Sequence, residues 1–488
     1  MTSRPSLTTY QQHHLRPTYD HHAPYLFGPM VQASQAHVVM LVEQGLIPAE
    51  RGVRLLRGLR ELAADTAAPP PFDGSVEDTY FQVEKRLAEV CGIPTSELDV
   101  QLARSRNDLD AGVFRMVLRG QLLGVLDRLL ATGLTALDRA DRYADVLITG
   151  YTHRRPAQPT TIGHVLAGYA EALADEATAY ADLLDQLNRS PLGSCAFAGT
   201  DLDISPARLA ELLGFDGLIT NSYEAVAGAD HLVRVATLNA QALATGARLA
   251  RTLMDWLSWR WVATPVDFTQ GSSIMPQKRN PVVLEHLVSM AGAAAGDAAS
   301  VLNNVGAAWW EDSNNATTDV QVRLWESCDR GDRFFALLGG FLGELVPEQP
   351  PTPAEIVASG ATTTAAADAL TRHGVPFRAA HSVVGTLVRA GTPDTWTAEQ
   401  VRAAAGTVGL AGPLDDAAVA DLIAAAVRPE LTMDRAQADG PGTAAVRAQV
   451  RILRGSLDAV GARVTGLRGR LAAAERALDE AVDGRLGQ

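Results

Sequence analysis

Residues 271–281 read Gly-Ser-Ser-Ile-Met-Pro-Gln-Lys-Arg-Asn-Pro, and this loop gathers two hydroxyls (Ser272, Ser273), a thioether (Met275), a cation (Lys278) and an amide (Asn280). The run that follows, Pro281-Val-Val-Leu-Glu285-His, reads as the first turns of a helix, with Pro at the position where its missing N–H costs nothing. A glycine-led loop rich in backbone N–H groups and ending at a helix N-terminus is suited to holding a carboxylate. Lys278 is one of two lysines, with Lys85, among 42 basic residues, so positive charge is otherwise almost always written as Arg. A compact ammonium meets a carboxylate differently from a guanidinium fork.

Two further stretches carry candidate chemistry. In Ala103-Arg-Ser-Arg-Asn-Asp108, the side chains of Ser105, Arg106 and Asn107 stand at the start of a long helical pattern. Donors there make an anion site, and a plain N-cap by Ser, Asn or Asp has the same look. In Gly150-Tyr-Thr-His-Arg-Arg-Pro-Ala-Gln-Pro159, Thr152 and His153 lie in a loop punctuated by two prolines. A loop His is commonly a solvated residue, but a hydroxyl beside it and a helix after it fit an acid–base or charge-stabilising role.

The elements that must position these groups are long helices. Residues 110–144, 166–187, 224–261 and 282–302 carry apolar residues at three- and four-residue steps; Val113, Met116, Val117, Leu122, Val125 and Leu129 illustrate the first. Helices of this length reach roughly 50 Å and need partners along their whole length, which predicts an all-α chain and an obligate oligomer. Breaks at the Pro-rich runs 67–72 and 347–353 and at Gly92-Ile-Pro94 divide the chain. The expected organisation is an N-terminal helical domain (1–106), a central long-helix bundle (107–350) and a small C-terminal helical domain (351–488). Within the first, residues 31–66 read as two helices, 78–90 as another, and the polar first 30 residues as an arm lying over a neighbouring element.

The chain has 488 residues and a formal charge of −14, which argues against a nonspecific nucleic-acid partner. Three cysteines (Cys91, Cys195, Cys328) have no metal or disulfide spacing, and the pairs His13-His14 and His21-His22 lack a third ligand, so no metal is expected. No apolar run reads as a signal peptide or a membrane span, and a cytoplasmic location is the expectation.

Taken together, the three stretches resemble the fumarase/aspartase superfamily and, within it, the argininosuccinate lyases. That branch carries an Arg-Ser-Arg-Asn-Asp run, a Gly-Tyr-Thr-His-x-x-x-Ala-Gln-Pro run and the Ser-Ser-x-Met-Pro-Gln-Lys loop. The likeness continues through Pro191–Thr200, Asn221-Ser222, Gly374–His381, and Ala36-His37 with Glu43–Leu46. It implies a three-domain fold whose central bundle forms the core of a homotetramer, each active site being built from three subunits. It also implies reversible anti β-elimination of an N-substituted aspartate to fumarate and an amine, with no cofactor. By this resemblance Ser272 is the base, its alkoxide stabilised by Lys278 and the amides after Gly271. His153, held by Glu285, stabilises charge or protonates the departing nitrogen. Ser105, Asn107, Thr152 and Asn280 hold the succinyl carboxylates, with Arg106, Ser273 and Met275 as further substrate contacts; Tyr80, where the sequence departs from the branch, is a candidate contact to the amine.

Departures from the branch cluster in the part that would hold the amine. Asp78-Thr-Tyr80-Phe81 stands where the branch has Asp-x-His-Thr, and Glu311–Ala316, after Trp309-Trp310, stands where it has Tyr-Asn-Lys-Asp-Leu-Gln. Pro156 replaces an Arg, and no Arg follows the Asn221-Ser222 run. The fumaryl half therefore reads as retained and the amine half as rebuilt, more aromatic and more acidic, which favours a substrate other than argininosuccinate. Argininosuccinate lyase proper is the alternative enzyme reading, and a catalytically silent structural homologue is the alternative of another class.

Overall fold

The computed structural model describes residues 7–64, 69–410 and 412–487. The chain is almost entirely helical, with two short hairpins as its only sheets among those residues. The N-terminal helices are α1 (Arg16–Glu43), α2 (Ala49–Ala64) and α3 (Thr79–Cys91). The expected arm is itself helical: a π-helical turn, Gln11–Leu15, leads straight into α1. Pro17 lies just after the π-helical turn, where the hydrogen-bond register changes. Pro24 and Pro29 interrupt the ladder farther on, and burial of Tyr19, Ala23, Leu26, Phe27 and Met30 along one face offsets that loss.

Five long helices build the bundle: α4 (Arg106–Arg142), α5 (Ile162–Leu187), α8 (Asp230–Ser258), α9 (Val282–Ala307) and α10 (Gln321–Gly343), with the short α6 (Pro206–Leu212) and α7 (Ser222–Ala227) between α5 and α8. Their directions follow from cross-helix bonds. The Tyr169 hydroxyl meets Thr252 at 2.9 Å and Tyr180 meets Asn239 at 2.5 Å, so α5 and α8 are antiparallel. Thr132 donates to the Phe335 carbonyl and Tyr143 to that of Leu345, both at 2.8 Å, so α4 and α10 run in parallel. The hairpin β1 (Leu147–Thr152) and β2 (Arg155–Thr161) turns the chain from α4 into α5. There Gly163 is required, since a Cβ would stand 2.4 Å from the Ala140 carbonyl. A second hairpin, β3 (Gln270–Gly271) with β4 (Arg279–Asn280), joins α8 to α9.

The bundle therefore has a near end, where α4 begins, and a far end, where α4, α8 and α10 finish. With 37 residues, α4 separates these ends by about 55 Å.

Beyond residue 350 the chain divides between two cores. Helices α11–α15 (Pro353–Ala358, Thr363–Arg372, Phe377–Ala390, Ala398–Thr407, Asp416–Val427) enclose a separate cluster with Leu370, Val383, Trp396 and Leu422. The last helix, α16 (Thr443–Leu486), returns to the bundle and buries Val450, Leu457, Val460 and Leu467 in the main core. Arg454, Arg463 and Arg470 along it pair with Asp138, Asp182 and Asp216.

Candidate active site

The Ser272 loop and the Thr152–His153 turn lie at the far end. In the loop, the Ser272 hydroxyl oxygen accepts the backbone N–H groups of Met275 at 3.1 Å and Ile274 at 3.4 Å. The N–H of Lys278 donates to the Met275 carbonyl at 3.0 Å, closing a turn, and the Gln270–Asn280 pairing holds the base of the loop. Ser272 and Asn280 are half-buried, while Ser273, Met275 and Lys278 are exposed. Pro281 caps α9 rather than opening it and gives no side-chain bond, which leaves the first N–H groups of that helix uncapped. Glu285 stands exposed in its first turn.

His153 and Arg154 are the two central residues of the β1–β2 turn, with φ of +49° and +63°. Two successive left-handed positions are usual for Asn-Gly; in side chains with a Cβ they hold strain of about 1–2 kcal/mol each. A double ion pair of Arg154 with Asp255 on α8 pins the turn, and Tyr151 stacks on Trp259 at 4.8 Å. Thr152 and His153 project to solvent.

Ser105, Arg106 and Asn107 occupy the near end. Ser105 is the N-cap of α4: its hydroxyl accepts the Asn107 N–H at 3.3 Å, and Asp108 accepts the Ser105 N–H at 3.0 Å. The other Asp108 oxygen takes the N–H groups of Gly193 and Cys195 and ties the 191–200 loop to the helix. Burial raises the Asp108 carboxyl pKa, and those backbone bonds oppose the shift. Arg106 reaches Asp78 at 2.6 Å and lies over the Phe81 ring, so its charge is already met. The Asn107 amide donates to the Ala196 carbonyl at 3.3 Å.

Beside these residues is a cleft of about 280 Å³ that Arg106, Asn107, Asp110, Asp312 and Asn314 help to line. An adjoining pocket shares Arg106, Asp110 and Asn314 and adds buried Tyr80. Burial pushes the Tyr80 hydroxyl well up, with Glu84 adding to it, and burial likewise raises Asp312, against its bond from Thr317. Of the segments that depart from the branch pattern, Thr79, Tyr80, Asp312 and Asn314 line this region. Trp309, Trp310 and Glu311 lie exposed, with Trp310 edge-on to Tyr223.

One chain thus gathers the candidate residues at two ends and does not bring them together. Among the described residues, no hydrogen bond or ion pair joins His153 to Glu285 or to Ser272, and no group of three His, Cys, Asp or Glu side chains is placed to hold a metal. The sequence reading passed over Asp110. Asp110 lies four residues after Arg106 and three after Asn107, so helical spacing alone puts it on their face.

A long-helix bundle with a serine loop, a histidine turn and an Arg-Ser-Arg-Asn helix start defines a lyase of the fumarase/aspartase type, and comparison with known proteins bears this out. The sequence profile described as "Lyase" matches residues 17–296, and that described as "Argininosuccinate lyase C-terminal" matches 360–432. The argininosuccinate lyase of Methanosarcina acetivorans is 33% identical over 377 residues, covering 76% of this chain and 75% of that one. Among solved structures, EDDS lyase in complex with formate superimposes with a TM-score of 0.84 at 29% identity, covering 97% of this chain and 95% of its own. A variant of EDDS lyase with bound fumarate gives 0.83 at 28% identity, covering 99% and 97%. The chain belongs to the lyase family and is an argininosuccinate lyase-like member of the fumarase/aspartase superfamily. No described helix is long and apolar enough to cross a membrane.

Proposed function

We propose that this lyase catalyses reversible anti β-elimination of an N-substituted aspartate other than argininosuccinate, yielding fumarate and an amine. The observation that carries the chemistry is the pair of backbone N–H groups aimed at the Ser272 oxygen. A serine hydroxyl is too weak an acid to ionise in water, and oriented dipoles with a nearby cation, Lys278, are what can stabilise its alkoxide. The alkoxide takes a proton from the carbon next to one carboxylate. The electron pair left behind forms the C=C bond as the C–N bond on the neighbouring carbon breaks, and the nitrogen leaves with a proton. His153, with Glu285 as its carboxylate partner, supplies positive charge or that proton. Thr152, Asn280, Ser105 and Asn107 hold the succinyl carboxylates, with Ser273 and Met275 closing over them.

The separation of the two ends supports a site shared among copies of the chain, one giving the Ser272 loop, another His153 and a third Ser105 to Asn107, in a homotetramer. The acidic, aromatic cleft beside Arg106 supports a leaving group other than arginine, and the likeness to EDDS lyase supports an amine of the ethylenediamine type. Argininosuccinate itself is the second reading, favoured by the names of the curated relatives. The test is addition of amines to fumarate, followed by mass spectrometry, with Ser272→Ala as control. A serine-dependent adduct with a non-arginine amine is expected. An adduct with arginine alone selects the second reading, and no adduct with any amine overturns both.

A further inference from the structure

Thr152 and His153 project to solvent, yet the residues on either side of them are both held by the end of α8. Tyr151, before them, stacks on Trp259 at 4.8 Å and stands 6.3 Å from the Trp261 ring. Arg154, after them, makes a two-pronged ion pair with Asp255, one of its N–H groups lying 2.8 Å from a carboxylate oxygen. Asp255 is in the last turn of α8 and Trp259 is its C-cap, four residues on and so on the same side of the helix. Arg260, itself left-handed with φ of +62°, bends the chain so that Trp261 comes back beside Trp259 at 4.6 Å. A cavity of about 380 Å³ lies against the turn, lined by His153 and Arg154 with Tyr169, Thr252 and Trp256. Packing alone therefore does not hold the turn in place.

The residue type at position 154 is informative. At φ of +63° the unstrained choice is glycine, and glycine reaches no partner. Arginine accepts the strain and spans to α8, where its planar fork matches a carboxylate. Strain kept beside an acid–base candidate is expected where neighbouring contacts fix a geometry that the reaction uses. We propose that Arg154 and Asp255 are positioning residues for His153, their ion pair setting the direction from which the imidazole serves the reaction. This assignment rests on the lyase reading above and adds to it two residues that act through another. The Tyr151–Trp259 stack braces the opposite flank, next to Thr152, so loss of the ion pair should disturb the histidine and spare the carboxylate contact.

The test measures kcat and KM for fumarate with the fastest serine-dependent amine among 1,2-diaminoethane, propylamine, glycine and arginine. The proteins are the wild-type oligomer, Arg154→Gly, Asp255→Asn, the double variant, and the charge swap Arg154→Asp with Asp255→Arg. Each single variant should lose roughly tenfold to a hundredfold in kcat, the scale of a misplaced catalytic group, with KM for fumarate within about twofold. The double variant should lose no more than either single, because both remove one tether, and the charge swap should regain most of the loss. Thermal midpoints should not follow kcat, since an exposed ion pair adds little to global stability. Arg154→Gly also relieves left-handed strain, so its midpoint should match or exceed that of the wild type. Unchanged kcat in the single variants overturns the positioning role and leaves the lyase reading standing. So does a loss of kcat that tracks a lowered midpoint, or losses that add in the double variant with no recovery in the swap. Absence of a serine-dependent adduct with all four amines overturns the lyase reading, and this assignment with it.

Discussion

At the far end of the bundle the Ser272 loop, Lys278 and the His153 turn stand largely open to solvent, while at the near end Tyr80, Arg106 and Asp110 line a partly buried, charge-laden cleft. The two regions are incomplete in opposite ways. The far end has donors aimed at a nucleophilic oxygen but nothing to enclose it. The near end has enclosure and a concentration of carboxylates but, on the proposed reading, not the serine base. Each supplies what the other lacks, and about 55 Å of helix keeps them from meeting within one chain. On the proposed reading, chemistry and selectivity sit on separate supports: a reaction loop on one hairpin, and an amine cleft on the first turns of α4 with α3 and the 309–318 segment.

The largest expected effect tests the far end. Ser272→Ala should lower the rate of amine addition by about 10³-fold, the scale of losing a positioned base. Fumarate binding, read by calorimetry, should persist, because the amides and Lys278 remain. A fall of less than tenfold would move the proton-abstracting role elsewhere and erase the contrast between the ends.

Whether the two ends meet between copies is tested by complementation. Ser272→Ala and His153→Ala oligomers, each nearly inactive, are unfolded together and refolded as mixtures. Recovery of activity absent from either parent is expected, since some sites would then draw an intact Ser272 and an intact His153 from different chains. Mixtures as inactive as the parents would place all catalytic groups on one chain.

How far these features are legible in the sequence differs by residue. The 271–281 loop stands out because of its ordered run of hydroxyl, thioether, cation and amide and because Lys278 is one of two lysines, and the long helices because their apolar residues recur for many turns. The β1–β2 hairpin is hidden, since His153-Arg154 lacks the Asn-Gly signature of such turns and is held instead by Asp255, a hundred residues away. The first half of helix α1, before residue 31, is hidden behind Pro17, Pro24 and Pro29, although buried Tyr19, Ala23, Leu26 and Met30 repeat at helical steps. Asp110 is the least legible. As a lone acid in a helical pattern it looks like part of a solvated face, and only the approach of Tyr80 and Asp312 from other elements makes it a cleft residue.

A smaller effect separates scaffold from site at the near end. Asp108 is fully buried and its carboxylate accepts three backbone N–H groups, from Ser105, Gly193 and Cys195. Asp108→Ala should destabilise the chain by about 3 kcal/mol in urea unfolding, because three donors lose their acceptor in a dry setting. A loss below about 1 kcal/mol would show that the 191–200 loop does not depend on this carboxylate.

Asp110 should behave in the opposite sense, although it lies only two residues on. Its folded pKa, about 7, lies above the unfolded value, so between roughly pH 4 and 7 the folded chain binds more protons than the unfolded one. Stability therefore falls as pH rises through that window and is not regained above it. Asp110→Asn removes the penalty: the variant should match the wild type near pH 4 and exceed it by about 1–3 kcal/mol at pH 8, read from urea unfolding at both pH values. An equal offset at both pH values would mean that Asp110 carries no buried charge, and the near end would lose the property that sets it apart from the far one.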